Sequence, residues 1–67
     1  MSEVLDNKVS EMRKDKGITQ EDLAKEIGVT RQTVISIEKG NYKPSLFLAL
    51  KIAKFFKAKV EEIFYIK

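Results

Sequence analysis

Apolar residues recur along the chain at spacings of three and four, which is the repeat of an amphipathic α-helix. Leu5, Val9 and Met12 form the first such stripe. The pattern predicts a helix that includes Leu5, runs to about Lys16 and ends at Gly17, because glycine readily takes the left-handed conformation that closes a helix.

Two short helices are predicted next, each opened by a threonine whose side chain can accept a hydrogen bond from the first turn. Thr19 precedes the first of them, and Gly28 ends it after about two turns. Thr30 precedes the second, which ends near residues 39–40. The inner positions of the two helices are apolar: Leu23, Ala24, Ile27, Val34 and Ile37.

Ser45 opens a fourth predicted helix. The residues expected to face the core are Leu46, Ala49, Leu50, Ala53 and Phe56. Residues 60–65 are predicted as a short helix followed by an extended tail, and only residues 63–67 allow a strand. The sequence therefore predicts an all-α fold, a compact bundle of about five short helices that can end in a short extended tail.

A length of 67 residues predicts one domain, residues 1–67, near the lower size limit for a single hydrophobic core. The chain has no cysteine and no histidine, so we expect no disulfide, no metal site and no cofactor. The first ten residues carry acids, and Lys51 and Lys54 interrupt the apolar residues 46–56. We therefore expect no signal peptide, no membrane contact and a cytoplasmic location.

Charge is distributed unevenly along the chain, whose formal net charge is +3. Residues 1–30 contain seven acidic and five basic side chains, a net charge of −2, whereas residues 31–60 contain one acidic and seven basic side chains, a net charge of +6. Such an excess favours an anionic partner, although a solvated lysine face would show it equally well.

The second and third predicted helices, about residues 19–39, have the proportions of a helix-turn-helix. Ala24 permits the close crossing of the two helices, and Gly28 permits positive φ in the turn. The early outward positions of the third helix are not acidic: Arg31, Gln32, Thr33 and Ser36. Arginine can bond a guanine edge and glutamine an adenine edge, while threonine can offer a methyl group to thymine. These residues are therefore candidates for contacts with DNA bases, against the alternative of an ordinary solvated helix face.

Seven short motifs lie in a fixed register along about residues 8–64: Met12-Arg13, Gly17-Ile18-Thr19-Gln20, Leu23-Ala24, Ile27-Gly28-Val29, Ile37-Glu38-Lys39-Gly40, Pro44-Ser45-Leu46 and Ala49-Leu50-Lys51-Ile52-Ala53. Together they make the chain resemble the Cro/Xre-type helix-turn-helix transcriptional regulators, the family of the phage-repressor DNA-binding domains, and in particular its short bacterial members. The resemblance implies that Arg31, Gln32 and Ser36 face bases, and that Thr30 and Thr33 touch a phosphate or a thymine methyl group. It also implies a structural salt bridge between Arg13 and Glu38.

Contacts with DNA phosphates are expected from residues around the third helix: Gln20, Thr30, Lys39, Asn41, Tyr42 and Lys43. For Gln20 the alternative is a polar residue that merely opens a helix, and for Tyr42 it is packing over the loop. The chain departs from the family pattern at Lys57, where a helix-ending glycine is common, at Lys59, where Ser or Thr often caps, and at Phe47, where a polar residue is usual.

The C-terminal third of the chain has more apolar residues than so small a core can cover. Five of them are candidates for the surface of a homodimer: Phe47, Ile63, Phe64, Tyr65 and Ile66. A dimer would link two recognition helices, each of which contacts only a few base pairs.

The expected function is sequence-specific binding of double-stranded DNA by a homodimeric transcriptional regulator, most simply a repressor, at a pseudo-palindromic operator with half-sites about 10 base pairs apart. No small-molecule effector is evident. The alternative on the same fold is a protein-interaction module, such as an antitoxin, whose apolar C-terminal segment binds a protein partner. An enzyme is disfavoured because histidine, cysteine and a phosphate-cradling glycine loop are absent. A single-stranded RNA binder is disfavoured because the aromatic residues lie at core spacing.

Overall fold

A computed structural model describes residues 3–67, and this range holds five helices and two short strands. In chain order the elements are β1 (Leu5–Asn7), α1 (Val9–Asp15), α2 (Gln20–Ile27), α3 (Arg31–Glu38), α4 (Leu46–Phe56), α5 (Val60–Ile63) and β2 (Phe64–Ile66). The predicted bundle of five short helices with a helix-turn-helix is confirmed. Within residues 3–67 no helix is long and apolar enough to cross a lipid bilayer.

The three predicted N-caps are confirmed, and each explains where its helix begins. Thr19 Oγ1 accepts a hydrogen bond from the Asp22 N–H at 3.0 Å. Thr30 Oγ1 accepts one from the Thr33 N–H at 3.1 Å, and Ser45 Oγ accepts one from the Leu48 N–H at 3.1 Å. Each oxygen satisfies a backbone donor that the helix itself leaves unpaired, which stabilises the helix by about 1 kcal/mol.

The helix α4 does not end at a glycine, the residue that commonly closes a helix. Lys57 adopts the left-handed conformation, with φ at 55°, in the position where glycine would do so without steric cost. The Cβ of a residue other than glycine raises the energy of this conformation by roughly 1–2 kcal/mol. At the following helix, the backbone N–H of Lys59 donates to Glu62 Oε1 at 2.7 Å, so Glu62 supplies the glutamate half of a capping box although no Ser or Thr occupies the N-cap.

One hydrophobic core joins all five helices. Its fully buried side chains are Val9, Leu23, Ile27, Val34, Ile37, Ile52 and Ile63. Full burial of each such side chain stabilises the fold by about 1.5–3 kcal/mol. The apolar stripes predicted for α2 and α3 are therefore confirmed as core.

The predicted inner face of α4 was wrong in part. The buried residues are Leu48, Ala49, Ile52 and Ala53. Leu46 and Leu50, which were expected inside, are 73% and 51% exposed. Apolar residues surround α4 for most of its length, so periodicity could not select the face that packs against the other helices.

A two-stranded antiparallel sheet joins the ends of the described chain and corrects the prediction for the N-terminal segment. Leu5 pairs with Ile66, Asp6 with Tyr65 and Asn7 with Phe64, so Leu5 lies in a strand and not in the first helix. The helix begins only at Val9. The C-terminal extended segment was expected, but no pattern in the sequence marked its partner strand.

Two of the predicted dimer contacts belong to the core of a single chain. Ile63 is fully buried and Phe64 is 8% exposed, so neither side chain has surface to offer a partner. The strand pair places both beneath the helices, because β2 follows α5 directly and turns its first residue inward. Phe47 and Ile66 are exposed, at 72% and 66%, and Tyr65 is half-buried.

Candidate nucleic-acid interface

The turn between α2 and α3 fixes the angle at which α3 leaves the body of the protein. Gly28 has φ at 73° and ends α2, and the Val29 N–H donates to the Ala24 carbonyl at 2.9 Å. Ala24 itself is 2% exposed, which allows the two helices to approach closely. On α3, Val34 and Ile37 are buried against α2 and the core. The third helix is therefore held as a rigid element by one apolar face.

The opposite face of α3 carries the predicted base-contacting residues. Arg31 and Gln32 are exposed, whereas Thr33 and Ser36 are half-buried. The hydroxyl oxygens of Thr30 and Thr33 lie 3.0 Å apart, so the Thr33 hydroxyl already has a partner. The first turn of α3 contains no acidic residue, which leaves its positive end available to an anion.

A buried ion pair ties α1 to the end of α3. Arg13 Nε donates to Glu38 Oε2 at 2.7 Å and Arg13 Nη2 to Glu38 Oε1 at 3.3 Å, and the two side chains are 11% and 7% exposed. Arg13 Nη1 also donates to the Ile18 carbonyl at 2.9 Å. Glu38 lies in the last turn of α3, where an unpaired carboxylate would oppose the helix dipole, so Arg13 compensates an otherwise unfavourable charge.

Gln20 joins this network from the start of α2. Its Nε2 donates to Glu38 Oε1 at 3.1 Å, so the side chain links the first residue of α2 to the last residue of α3. Gln20 therefore braces the end of α3 through a direct hydrogen bond. The amide keeps a second N–H on the same nitrogen, which is available to another acceptor.

The loop after α3 carries four of the predicted phosphate contacts. Gly40, with φ at 80°, closes the helix: the Gly40 N–H donates to the Ile37 carbonyl at 3.0 Å and the Asn41 N–H to the Ser36 carbonyl at 2.9 Å. The residues of the loop with exposed side chains are Lys39, Asn41, Tyr42 and Lys43. Tyr42 is 46% exposed, so its ring neither packs fully over the loop nor projects freely.

Negative charge lies close to Gln20, the predicted phosphate contact at the start of α2. Asp22 Oδ2 accepts a hydrogen bond from the Thr19 N–H at 3.0 Å, and this backbone bond, with the Thr19 side chain, lowers the pKa of Asp22. The lowered pKa keeps Asp22 ionised at neutral pH, and its neighbour Glu21 is a second exposed acidic residue. A phosphate near this helix start would depend on the amide of Gln20, because the local charge is unfavourable.

Two residues that were not among the predicted site residues, Lys51 and Asn7, lie against the helix-turn-helix. Lys51 Nζ lies 5.5 Å from the centroid of the Phe47 ring and would be 3.2 Å from a Cβ added to Gly28, so this lysine covers the turn of the helix-turn-helix. Asn7 donates from Nδ2 to the Ile37 carbonyl at 2.8 Å. An asparagine shortly before an apolar helical stripe is a recognised capping signal, but assigning Leu5 to the helix obscured it.

These features define a class of protein: a small helical DNA-binding domain with a helix-turn-helix of the phage-repressor kind. A comparison with protein families gives the same result, because the family model described as helix-turn-helix matches residues 9–63. The chain belongs to this helix-turn-helix family of transcriptional regulators.

Individual relatives support this assignment along most of the chain. An uncharacterized HTH-type transcriptional regulator of Methanocaldococcus jannaschii is 62% identical over 58 residues, which cover 87% of this chain and 88% of the relative. The HTH-type transcriptional regulator YgzD of Bacillus subtilis is 56% identical over 61 residues, covering 91% of this chain and 92% of the relative. The relatives are named as regulators and not as enzymes, in agreement with the expectation of a non-enzymatic protein.

A solved structure with the same arrangement is the restriction-modification controller protein C.AhdI from Aeromonas hydrophila. It matches with a TM-score of 0.75 and 34% sequence identity, over 82% of this chain and 83% of that chain. Over the matched part of the chain, the helical arrangement is therefore that of this controller protein.

Proposed function

We propose that the protein binds a specific double-stranded DNA sequence as a homodimer and represses transcription from promoters that contain it. The observation that carries this proposal is the start of α3. Arg31 and Gln32 are exposed in its first turn, while Val34 and Ile37 hold the opposite face in the core. A rigid helix that presents base-bonding side chains at its N-terminus is suited to the major groove.

Contacts with the DNA backbone would flank this helix on two sides. Gln20 lies on one side, fixed through Glu38, and the exposed Lys39, Asn41 and Lys43 follow α3 on the other. Contacts of this kind set the register of a protein on the duplex, while the bases set the choice of sequence. The net charge of +6 on residues 31–60 provides the general attraction to DNA.

The homodimer is proposed to form through the exposed apolar face of α4. Leu46, Phe47 and Leu50 are 73%, 72% and 51% exposed and lie within two turns of one helix. Three large side chains at these exposures present on the order of 400 Å² of apolar surface, the size of a functional patch on a small monomer. Within residues 3–67, the only exposed large apolar residue that lies beside Ile66, itself 66% exposed, is Val4, so α4 is the stronger candidate.

In this proposal, the dimer represses transcription because it occupies promoter DNA. A dimer with half-sites about 10 base pairs apart covers roughly two turns of duplex, and a site within a promoter would then be closed to polymerase. C.AhdI, which shares the arrangement of helices, is named as a controller protein, in keeping with a regulator of this size.

The proposal is tested by selecting tight binders from a pool of random duplex DNA and measuring affinities for the selected site. We expect an inverted repeat. Gln32→Ala and Arg31→Ala should each lower the preference over random duplex by about 10- to 100-fold, the worth of one bidentate base contact. Lys59→Ala removes one positive charge from an exposed position at the start of α5 and should leave that preference unchanged. Failure to enrich any sequence would overturn the proposed function.

The dimer surface is tested by sedimentation without DNA at micromolar concentration. Leu46→Glu places an acid in the first turn of α4, where the helix dipole favours it, so the fold should persist while the dimer dissociates. Ile66→Glu, the matched change on the terminal strand, should leave the dimer intact. A reversed result would move the interface to the strand. A wild-type monomer, both free and on DNA, would remove the homodimer and assign the α4 patch to another protein.

A further inference from the structure

The side chain of Asn7 connects two helix ends that are far apart in sequence. Its Oδ1 accepts a hydrogen bond from the Val9 N–H at 3.0 Å, which caps the start of α1. Its Nδ2 donates to the Ile37 carbonyl at 2.8 Å, in the last turn of α3. Asn7 is half-buried, so both bonds are sheltered from full competition by water.

The carbonyl that Asn7 meets belongs to the motif that ends the recognition helix. Ile37 also accepts from the Gly40 N–H at 3.0 Å, and the Asn41 N–H bonds one residue earlier, to Ser36. The exposed loop residues leave α3 from this motif. The amide of Asn7 therefore fixes the point from which the loop over residues 41–43 departs.

The backbone of Asn7 is in turn held by the terminal sheet. Asn7 pairs with Phe64, and the neighbouring Lys8 N–H donates to the Ile63 carbonyl at 2.8 Å. Phe64 and Ile63 are both in the core. A one-residue slip of the register would turn core side chains outward, so the position of Asn7 is strongly specified.

The far end of the same loop also lies beside the terminal strands. Lys43 lines a shallow groove together with Leu5 of β1 and Ile66 of β2. The loop thus departs from a helix end that is bonded to Asn7, and its residue Lys43 lies beside the edge of the sheet. Both neighbours belong to the terminal strands and not to the helix-turn-helix itself.

We propose that the terminal sheet positions the DNA-contacting loop, and that Asn7 is the positioning residue through which it acts. Asn7 would raise affinity for DNA without touching it, because its bond to Ile37 holds residues 41–43 where they meet the phosphates. The inference rests on the proposed DNA-binding function, and it adds a required element outside the helix-turn-helix.

The test variant is Asn7→Ser. Serine caps a helix about as well as asparagine, so α1 keeps its start, but its side chain is too short to reach Ile37. The change is also neutral, so it does not alter the general attraction to DNA. Ser10→Ala is the control: it removes a neutral polar side chain from the first turn of α1, without changing the charge or the bond from Asn7 to Ile37.

The loss of one neutral hydrogen bond can lower the free energy of DNA binding by no more than the free energy of that bond. We therefore expect Asn7→Ser to weaken DNA binding by about threefold to tenfold. The slope of log affinity against log salt should also fall by about one phosphate contact, whereas a merely less stable protein would keep the slope. Hydrogen exchange at the Gly40 and Asn41 amides should speed up while exchange in α2 stays constant. Ser10→Ala should change none of these quantities.

Affinities are measured on the selected operator and on random duplex, well below the melting temperature of each variant. If the Asn7→Ser protein keeps the wild-type DNA affinity, salt slope and amide exchange, the inference about Asn7 is overturned and the proposed function is not. If the wild type selects no operator, the proposed function falls, but the salt slopes on random duplex still decide the role of Asn7. Should Asn7→Ser fold poorly, Asn7→Asp, which keeps the cap and loses the donor, is judged by the same amide exchange.

Discussion

Replacing Arg13 with alanine is expected to destabilise the fold strongly while changing the DNA affinity of the folded protein little. The substitution leaves Glu38, whose side chain is 7% exposed, without its cationic partner. It also removes the donor to the Ile18 carbonyl, which holds the segment between α1 and α2. Arg13 itself is 9% exposed and lies among core residues, so its removal also leaves a gap in the packing.

The expected size of the loss is about 3–5 kcal/mol, the usual result of removing one partner from a buried, hydrogen-bonded ion pair. A domain of this length has a total free energy of unfolding of roughly 3–10 kcal/mol. The variant should therefore melt roughly 12–40 °C below the wild type, at about 4–8 °C per kcal/mol for a domain of this size. DNA contacts are expected from exposed residues of α3 and its loop, so affinity should change by much less.

Urea or thermal unfolding gives the stability, and binding at low temperature, corrected for the folded fraction, gives the affinity. Arg31→Ala is the matched control, because it removes an exposed arginine: we expect unchanged stability and weaker binding. Arg13→Ala combined with Glu38→Ala should be less destabilised than the sum of the two single changes. An Arg13→Ala protein that melts within about 3 °C of the wild type would refute the reasoning from the buried pair.

Two further predictions concern positions outside the DNA-contacting surface. Lys57→Gly should stabilise the protein by about 0.5–1 kcal/mol, because it relieves the left-handed backbone, whereas Lys59→Gly should destabilise it; equal or lower stability of Lys57→Gly in urea would contradict this. Bonds from Thr19 lower the pKa of Asp22 below its ordinary 3.8, so the ionised carboxylate stabilises the fold above about pH 4 and this contribution is lost as pH falls through the lowered pKa. Asp22→Asn should therefore be less stable than the wild type at pH 7 and lose less stability on acidification. If the stability of the two proteins changed with pH in parallel, the result would argue against the capping role of Asp22.

The elements that the sequence predicted correctly are those specified by local chemistry. Thr19, Thr30 and Ser45 can each satisfy backbone donors within the next three residues, so their capping role does not depend on the rest of the fold. Gly28 likewise permits the turn between α2 and α3 by its own backbone freedom. The position of the helix-turn-helix, and the exposure of Arg31 and Gln32 on it, followed from these signals.

The expectations that failed concern contacts between distant segments. β1 is three residues long and pairs with a strand some 60 residues away, so no local pattern marks it. The face of α4 is set by packing against α2 and α5, since apolar residues occur all around that helix. Ile63 and Phe64 were predicted to lie at a dimer surface, but the fold of the single chain buries both side chains in its core.

The sequence by itself determined the class of protein, the boundaries of the central helices and the polar outer face of α3, because caps, glycines and apolar periodicity act over a few residues. The tertiary structure alone decided that Glu38 joins Arg13 and Gln20 in one network, and that Asn7 of β1 supports the end of α3, 30 residues further along the chain. Such contacts bridge 18 to 30 residues of sequence, and they exist only when the core has set the helices in place.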